Sequence, residues 1–289
     1  MNWINAIVQG ILLGGLYALL AAGLSVMFGV MRIVNLAHGS LAILAAYVGL
    51  VVIERTGVSP FVAMVLVVPI MAAVGYLLQL AVFNRALAVG PLAPLLAAFG
   101  LSVVVAQLLQ IRFTSDSQTL ATGSLGIASI KLSNDVAIGV LPLVIFSVGV
   151  AVIAGTQLFL NRTPLGRAMR ATSDDPGTVA LMGIDPQRVY ALSTALAMAI
   201  VAVAGMFLGM RGNVDPNYGQ AMLIFAFEAV IIGGLGSLWG TLIGGVVLGV
   251  AQAVGSQIDP SYGVLAGHLV FLGILAVRPT GLMQRVVTA

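Results

Sequence analysis

The chain has 289 residues, 60% of them hydrophobic, with 12 basic and 9 acidic side chains, 35 glycines and no cysteine. A charged fraction of 7%, where soluble domains carry roughly 25%, and a mean hydropathy of +1.13 exclude an ordinary soluble globule. Lack of cysteine excludes a disulfide framework, a thiolate metal site and a cysteine nucleophile, and a net charge of +3 dispersed among apolar runs offers no basic face to nucleic acid.

Runs of mostly apolar residues long enough to cross a bilayer lie at approximately 6–29, 36–53, 59–82, 92–111, 136–160, 189–210, 219–233, 238–258 and 262–278. They predict an all-α polytopic membrane protein with about nine transmembrane helices, between eight and ten, some of them discontinuous, in a single transmembrane domain over 1–289. The seventh run is short and ends in Gly233-Gly234, so it is a broken helix or continues through the glycine-rich turn 233–240. No basic residue precedes Arg32, so the first run lacks the charged start of a cleaved signal and is read as a helix.

Orientation follows from where arginines fall, because cytoplasmic loops hold the excess of basic residues. An outside N-terminus places Arg32, Arg85, Arg162, Arg167, Arg170, Arg188, Arg278 and Arg285 inside, against Arg55, Arg112, Lys131 and Arg211 outside, and the C-terminus becomes cytoplasmic.

Between the first two runs stands the polar segment Asn35-Leu36-Ala37-His38-Gly39-Ser40. Non-helical backbone at membrane depth survives only inside protein or beside water, and transporters place such breaks along the substrate route. Asn35, His38 and Gly39 are therefore candidates for the translocation path, with a hydrogen-bonded helix start as the plain alternative for His38. Residues 112–135, rich in Ser, Thr, Gly and Asp, read as an exposed outer loop without chemistry.

Residues 161–188 differ, holding 4 of the 12 basic and 3 of the 9 acidic residues in under a tenth of the chain. Thr163-Pro164, Asp175-Pro176 and Asp185-Pro186 each put a capping oxygen before a proline at the first helical position. They predict one short helix from about 164 to 172, a second from 176 to 182 with Gly183 as a left-handed stop, and a third start running into the sixth span. Arg167 and Arg170 share a face of the first, and Gly166 leaves room for close backbone approach. Such a helix pair suits insertion into a groove on a partner protein. A loop that merely sets topology is the alternative, although it has no need of ordered helices, which cost backbone entropy.

Beyond the sixth span, Arg211-Gly212-Asn213 and Asn217-Tyr218-Gly219-Gln220 loosely echo the 35–40 segment on the opposite side, as an inverted repeat would. Glu228 then lies within an apolar run, where an ionisable group costs a few kcal/mol unless it faces water or a partner. A site on the path and a protonated or arginine-paired structural glutamate are both open readings. His268, alone on the ninth span, reads as a structural residue bonded to a neighbouring helix. The spacings Gly10/Gly14, Gly205/Gly209, Gly240/Gly244 and Gly245/Gly249 predict close helix packing. Tyr17, Gln9, Gln107 and Gln252 are polar points that line a cavity or bond between helices.

Several segments together resemble the permease subunits of branched-chain amino acid type ABC importers of the bacterial inner membrane. They are Gly15-Leu16-Tyr17-Ala18-Leu19, Asn35-Leu36-Ala37-His38-Gly39, Thr163-Pro164-Leu165-Gly166-Arg167-Ala168-Met169-Arg170-Ala171, Ala180-Leu181-Met182-Gly183-Ile184-Asp185, Gly233-Gly234-Leu235-Gly236-Ser237 and Arg278-Pro279-Thr280-Gly281-Leu282. The resemblance implies a second, paralogous permease, two cytoplasmic ATPases that bind ATP and Mg, and an extracytoplasmic solute-binding protein. It makes 161–188 the coupling loop, with Thr163, Gly166, Arg167, Arg170, Asp174 and Gly183 as its coupling residues; Asn35, His38, Gly39, Tyr17 and Glu228 are the path candidates read from the residues themselves, and the resemblance does not decide the role of Glu228. The chain itself is expected to be no enzyme and to hold no cofactor or metal. A P-loop needs a lysine after its glycines, and the only lysine, Lys131, sits in the outer loop without that pattern.

Two other classes compete with this reading. An ion-coupled secondary transporter or channel explains Glu228 but leaves the arginine loop idle. An intramembrane enzyme needs paired acids, a Ser-His arrangement or an HExxH-type metal site, none of which the sequence contains.

Overall fold

A computed structural model describes residues 3–131 and 137–283. Arg285 of the orientation argument, residues 132–135 of the predicted outer loop and position 136, the predicted start of the fifth span, lie outside these.

Helix α1 (Trp3–Met31) is followed by α2 (His38–Thr56) and α3 (Pro60–Leu78). A π-helical turn, Gln79–Phe83, carries α3 into α4 (Asn84–Val89). Next come α5 (Ala93–Phe113), the short α6 (Ser124–Ile127) and an antiparallel hairpin of β1 (Ser129–Lys131) on β2 (Ala137–Gly139). The rest is helical: α7 (Val140–Arg162), α8 (Pro164–Asp174), α9 (Pro176–Leu181), α10 (Pro186–Arg211), α11 (Gly219–Gly233), α12 (Leu238–Ile258) and α13 (Tyr262–Val277). Among the described residues, seven helices are long and apolar enough to cross a membrane: α1, α2, the continuous α3–α4 rod, α5, α7, α10 and α12. The predicted seventh and ninth spans are the shorter apolar helices α11 and α13.

The third span runs further than the sequence suggested, to Val89 rather than 82. The π turn lets it continue past a polar stretch. It turns Gln79 inward, where the side chain donates to Asn84 Oδ1 at 2.9 Å and accepts from Thr194 Oγ1 at 2.7 Å.

At the centre stand α1 and α10, enclosed by other helices, while α3, α5, α7 and α13 present apolar side chains such as Val65, Phe99, Leu108 and Leu269 outward. In lipid such side chains lose nothing by exposure, so small residues and close backbone packing hold the bundle together. Gly10 and Gly14 of α1 meet Gly245 and Gly249 of α12 so closely that a methyl group on Gly10 would lie 2.6 Å from the Val250 Cα. Gly205 and Gly209 of α10 likewise receive Ala42 and Ala46 of α2, as the spacing predicted.

The reading of 112–135 as a freely exposed loop is corrected by Leu120. Its side chain is buried over Gly209, its N–H donates to the Gly209 carbonyl at 2.8 Å, and Gln118 pairs with Val214. One apolar residue in a polar stretch supplies the anchor, and the backbone groups freed where α10 ends accept the pairing.

Candidate functional site

Two breaks in the helical path converge inside the bundle. α1 and α10 run antiparallel, with Thr194 beside Met31 and Ala197 and Val201 beside Gly23, so their C-termini point to opposite ends. After α1 the chain turns at Arg32, whose φ is +54°, and returns along it as residues 32–37. By the time α2 begins, His38 bonds the Leu20 carbonyl at 2.8 Å, which lies about 16 Å back along α1 from its last residue. From the other end, residues 212–218 return after α10 and start α11 at Gly219. Gly39 and Gly219 then meet backbone to backbone, with no room for a Cβ on either.

The pairing of helices repeats across this junction. α1 packs on α11 and α12 as α10 packs on α2 and α3, the relation expected if the α1–α3 and α10–α12 segments exchange under an inverted two-fold. The faint sequence echo thus has a structural counterpart.

Of the predicted path residues, Asn35, His38 and Gly39 form this junction and are fully buried or nearly so. Asn35 Oδ1 accepts from the Ala37 N–H at 3.0 Å, which fixes the turn before α2. A carbonyl only accepts, so the Nε2 of His38 carries the proton that reaches Leu20. Its Nδ1 is then a bare acceptor, buried without a partner. Ser40, which the sequence reading did not single out, shares a 2.8 Å hydrogen bond with Ser102 of α5.

Tyr17 and Glu228 lie in a second polar group, on α1, α11, α12 and α13. The Tyr17 hydroxyl donates to Gln252 Oε1 at 2.6 Å, and its ring packs 5.1 Å from that of Phe225. Phe225 in turn stacks on His268 at 6.1 Å. Glu228, 4% exposed, meets His268 Nδ1 at 2.5 Å through Oε1, while its Oε2 is buried with no partner. The glutamate's partner is therefore a histidine forty residues away, not an arginine, and His268 does bond a neighbouring helix as expected. Phe225 carried no separate signal, since an aromatic in an apolar run is indistinguishable from a lipid-facing one. Among the described residues no group of His, Asp and Glu has metal-binding geometry.

The 161–188 segment folds as its capping pattern predicts. Thr163 Oγ1 accepts from the Gly166 N–H at 3.0 Å, and Asp175 Oδ1 accepts from Gly177 and Thr178 at 2.9 and 3.1 Å. Asp185 Oδ1 accepts from Gln187 at 3.0 Å, and Gly183 takes φ +82°. The Thr178 hydroxyl and N–H, then that of Gly177, bond the Asp175 carboxylate and hold its pKa below the usual range. α8 turns back sharply on the end of α7, where a Cβ on Gly166 would lie 2.5 Å from both Leu160 Cα and the Phe159 carbonyl oxygen. Met169 is fully buried beneath it, and Ser173 Oγ donates to the Gly29 carbonyl of α1 at 2.7 Å. Neither residue was predicted, although Met169 falls three residues after Gly166 on the same helical face.

The pairing of Arg167 with Arg170 on one working face is corrected. Arg167 is exposed, whereas Arg170 turns back to donate to Asn161 Oδ1 of α7 at 3.1 Å. The sharp α7–α8 turn brings Asn161 within reach of the second arginine and not the first. Asp174 is exposed at the last residue of α8, and Leu181 and Met182, at the end of α9, are 89% and 75% exposed.

A family model described as "Branched-chain amino acid transport system / permease component" matches residues 6–277. The chain is 31% identical to the high-affinity branched-chain amino acid transport system permease protein BraD of Pseudomonas aeruginosa, over 98% of this chain and 96% of that protein. It is 28% identical to LivH, the permease protein of the same description in Escherichia coli K12, over 99% and 96%. A segment of 126 residues is also 28% identical to LivM, a second such permease protein of Escherichia coli K12, over 43% of this chain and 29% of that protein.

Proposed function

The chain belongs to the branched-chain amino acid transport system permease family, and from that premise we propose that it is one of two paralogous permeases of an ATP-driven importer for branched-chain amino acids or similar small solutes. Two cytoplasmic ATPases, which bind ATP and Mg, and an extracytoplasmic solute-binding protein complete the assembly. That Escherichia coli has two related permease proteins of this description supports a paralogue as the second permease. The multi-pass chain sits in a bacterial inner membrane with its N-terminus outside and its C-terminus cytoplasmic, consistent with the surface placement of the arginine-bearing 161–188 segment.

The observation that carries the coupling role is α8 itself. Its buried face, Gly166, Met169 and Thr172, is seated on the bundle, while Arg167 and Asp174 of α8 and Leu181 and Met182 at the end of α9 are exposed. An ATPase that grips Arg167, Leu181 and Met182 moves α8, and Ser173 passes the motion to the end of α1. A partner can drive such motion only through contacts that differ between its states. The path passes alongside the junction of Asn35, His38 and Gly39 and the Tyr17 and Glu228 group, whose polar atoms the surrounding helices keep from lipid.

The test is purification of the tagged chain from its native membrane, with mass spectrometry of co-purifying proteins, for wild type and for a Gly166→Ala, Arg167→Ala variant. Recovery of a second permease and two ATPases, with the ATPases lost from the variant, is the expected result. Recovery of the chain alone, in detergent that preserves a known importer, would sink the proposal.

A further inference from the structure

Beneath α8, between the end of α1, α7 and the turn before α12, lies a cavity of about 210 Å³. Its lining includes Ser25, Gly29, Gln157, Asn161, Arg170 and Ser237. Among the described residues the Arg170 guanidinium is its one charged group and no carboxylate lines it. Arg170 makes no ion pair among the described residues, and only the bond from Nη1 to Asn161 occupies it. Ser25, 1% exposed, lines the same space with a hydroxyl that has no hydrogen-bond partner. Ser237, also in the lining, caps the 21-residue α12, accepting from the Gly240 N–H at 3.1 Å, so the positive end of that helix borders the cavity with one of its N–H groups already bonded. A third wall is the last turn of α1, at Gly29 and Val30, whose carbonyls form the negative end of that helix.

A guanidinium and a helix N-terminus, with a spare hydroxyl and no competing acid, select a compact anion. The volume equals that of about seven waters, room for a carboxylate on a short aliphatic chain. We propose that this cavity binds a small carboxylate from the cytoplasmic side, and that the ligand is an imported amino acid whose occupancy clamps α8 against α1, α7 and α12. Solute that accumulates inside then restrains the coupling helix, so the product slows its own import. The amino-acid identity and the cytoplasmic side rest on the permease reading above, whereas the selectivity for a carboxylate rests on the cavity alone. A lipid headgroup phosphate shares the same chemistry and is separated from it in the test.

Full-length chain in phosphatidylcholine nanodiscs is titrated calorimetrically with isovalerate, L-leucine, leucinamide and inorganic phosphate. Isovalerate and L-leucine bind, leucinamide does not, and Arg170→Gln weakens both carboxylates about tenfold or more, the loss expected for a charge-assisted bond. Gly29→Val, which leaves Arg170 in place, fills the space toward Gly236, where a Cβ meets nothing nearer than 3.6 Å, and also abolishes binding. Equal affinity in Arg170→Gln, binding of leucinamide, or no binding of either carboxylate by a chain that still unfolds cooperatively overturns the site. Phosphate binding tighter than isovalerate, and lost when phosphatidylglycerol is added to the discs, overturns the amino acid and assigns the cavity to lipid. Uptake by the assembled importer is measured separately. Absent binding with intact ATP-driven leucine uptake sinks the cavity alone, and carboxylate binding without such uptake in any assembly sinks the permease reading.

Discussion

The Gly39–Gly219 junction and the α8–α9 pair both hold irregular backbone in place, by opposite means. At the junction order comes from contact between chain segments about 180 residues apart, with backbone against backbone and no space for a side chain. In α8–α9 it comes from side chains capping N–H groups two or three residues away. In lipid an unpaired backbone group has no water to turn to, so the break must be enclosed completely. At the surface water satisfies whatever a cap does not, and a cap serves to choose one conformation. The junction is consequently intolerant of added volume, while the loop tolerates change in proportion to each cap that is lost.

The strongest way to break the comparison is to add volume at the junction. Gly39→Leu drives a side chain into the Gly219 carbonyl, and overpacking of this kind costs about 1–3 kcal/mol or more. A sharp fall in monodisperse yield and in Tm is expected. Gly100→Leu in α5, where a Cβ meets nothing within 4 Å, should match wild type. Equal Tm for both variants would show that the junction is not tightly enclosed.

Gly166→Ala applies the same device to the loop. Its Cβ would meet the end of α7, so α8 undocks while the membrane-embedded helices keep their melting temperature. ATP-driven uptake by the assembled importer should fall several-fold. Wild-type uptake would remove α8 from the coupling route.

Glu228 sharpens the contrast within the membrane. Glu228→Ala strands the ring of His268 and should cost about 1–3 kcal/mol, while Glu228→Gln, which keeps an oxygen toward Nδ1, should retain most of the stability. A double-mutant cycle with His268→Ala measures the pair, and a coupling of zero would show that the two side chains act independently. Thr163→Ala should cost about 1 kcal/mol confined to α8, read as faster amide exchange over 164–174.

The smallest effect is one of pH. The pKa of Asp175 is lowered by its bonds to Thr178 and Gly177, so its cap is in force above the ordinary carboxylate pKa and is lost only as pH falls through the depressed value. Amide protection in α9, taken relative to the unstructured rate at each pH, should be flat through neutral and mildly acidic pH and fall only in stronger acid. Asp175→Asn, which still caps, should lack that fall.

Much of this was legible in sequence where the cause is local. Thr163-Pro164, Asp175-Pro176 and Asp185-Pro186 specified helix starts because a cap and its N–H lie within one turn. The glycine spacings announced close packing, and Asn35–Ser40 announced a break. The direction of Arg170 was not legible, because Asn161, which draws it inward, belongs to the preceding helix and meets it only through the sharp turn at Gly166. The His268 partner of Glu228 and the anchoring of Leu120 on Gly209 were hidden for the same reason.

The sequence by itself determined that this is a helical membrane protein, roughly where its helices run, which family it resembles and where its surface helices begin. Apolar length and capping are properties of a few consecutive residues, and they survive without knowledge of the neighbours. Only the tertiary structure decided which helices are central. The α3–α4 rod, more hydrophobic than α1, lies on the rim, while α1 is enclosed. Lipid and protein interior are equally apolar to a side chain, so hydrophobicity cannot tell one face from the other. Contact between distant segments makes that distinction, and with it the junction, the glutamate–histidine pair and the cavity beneath α8.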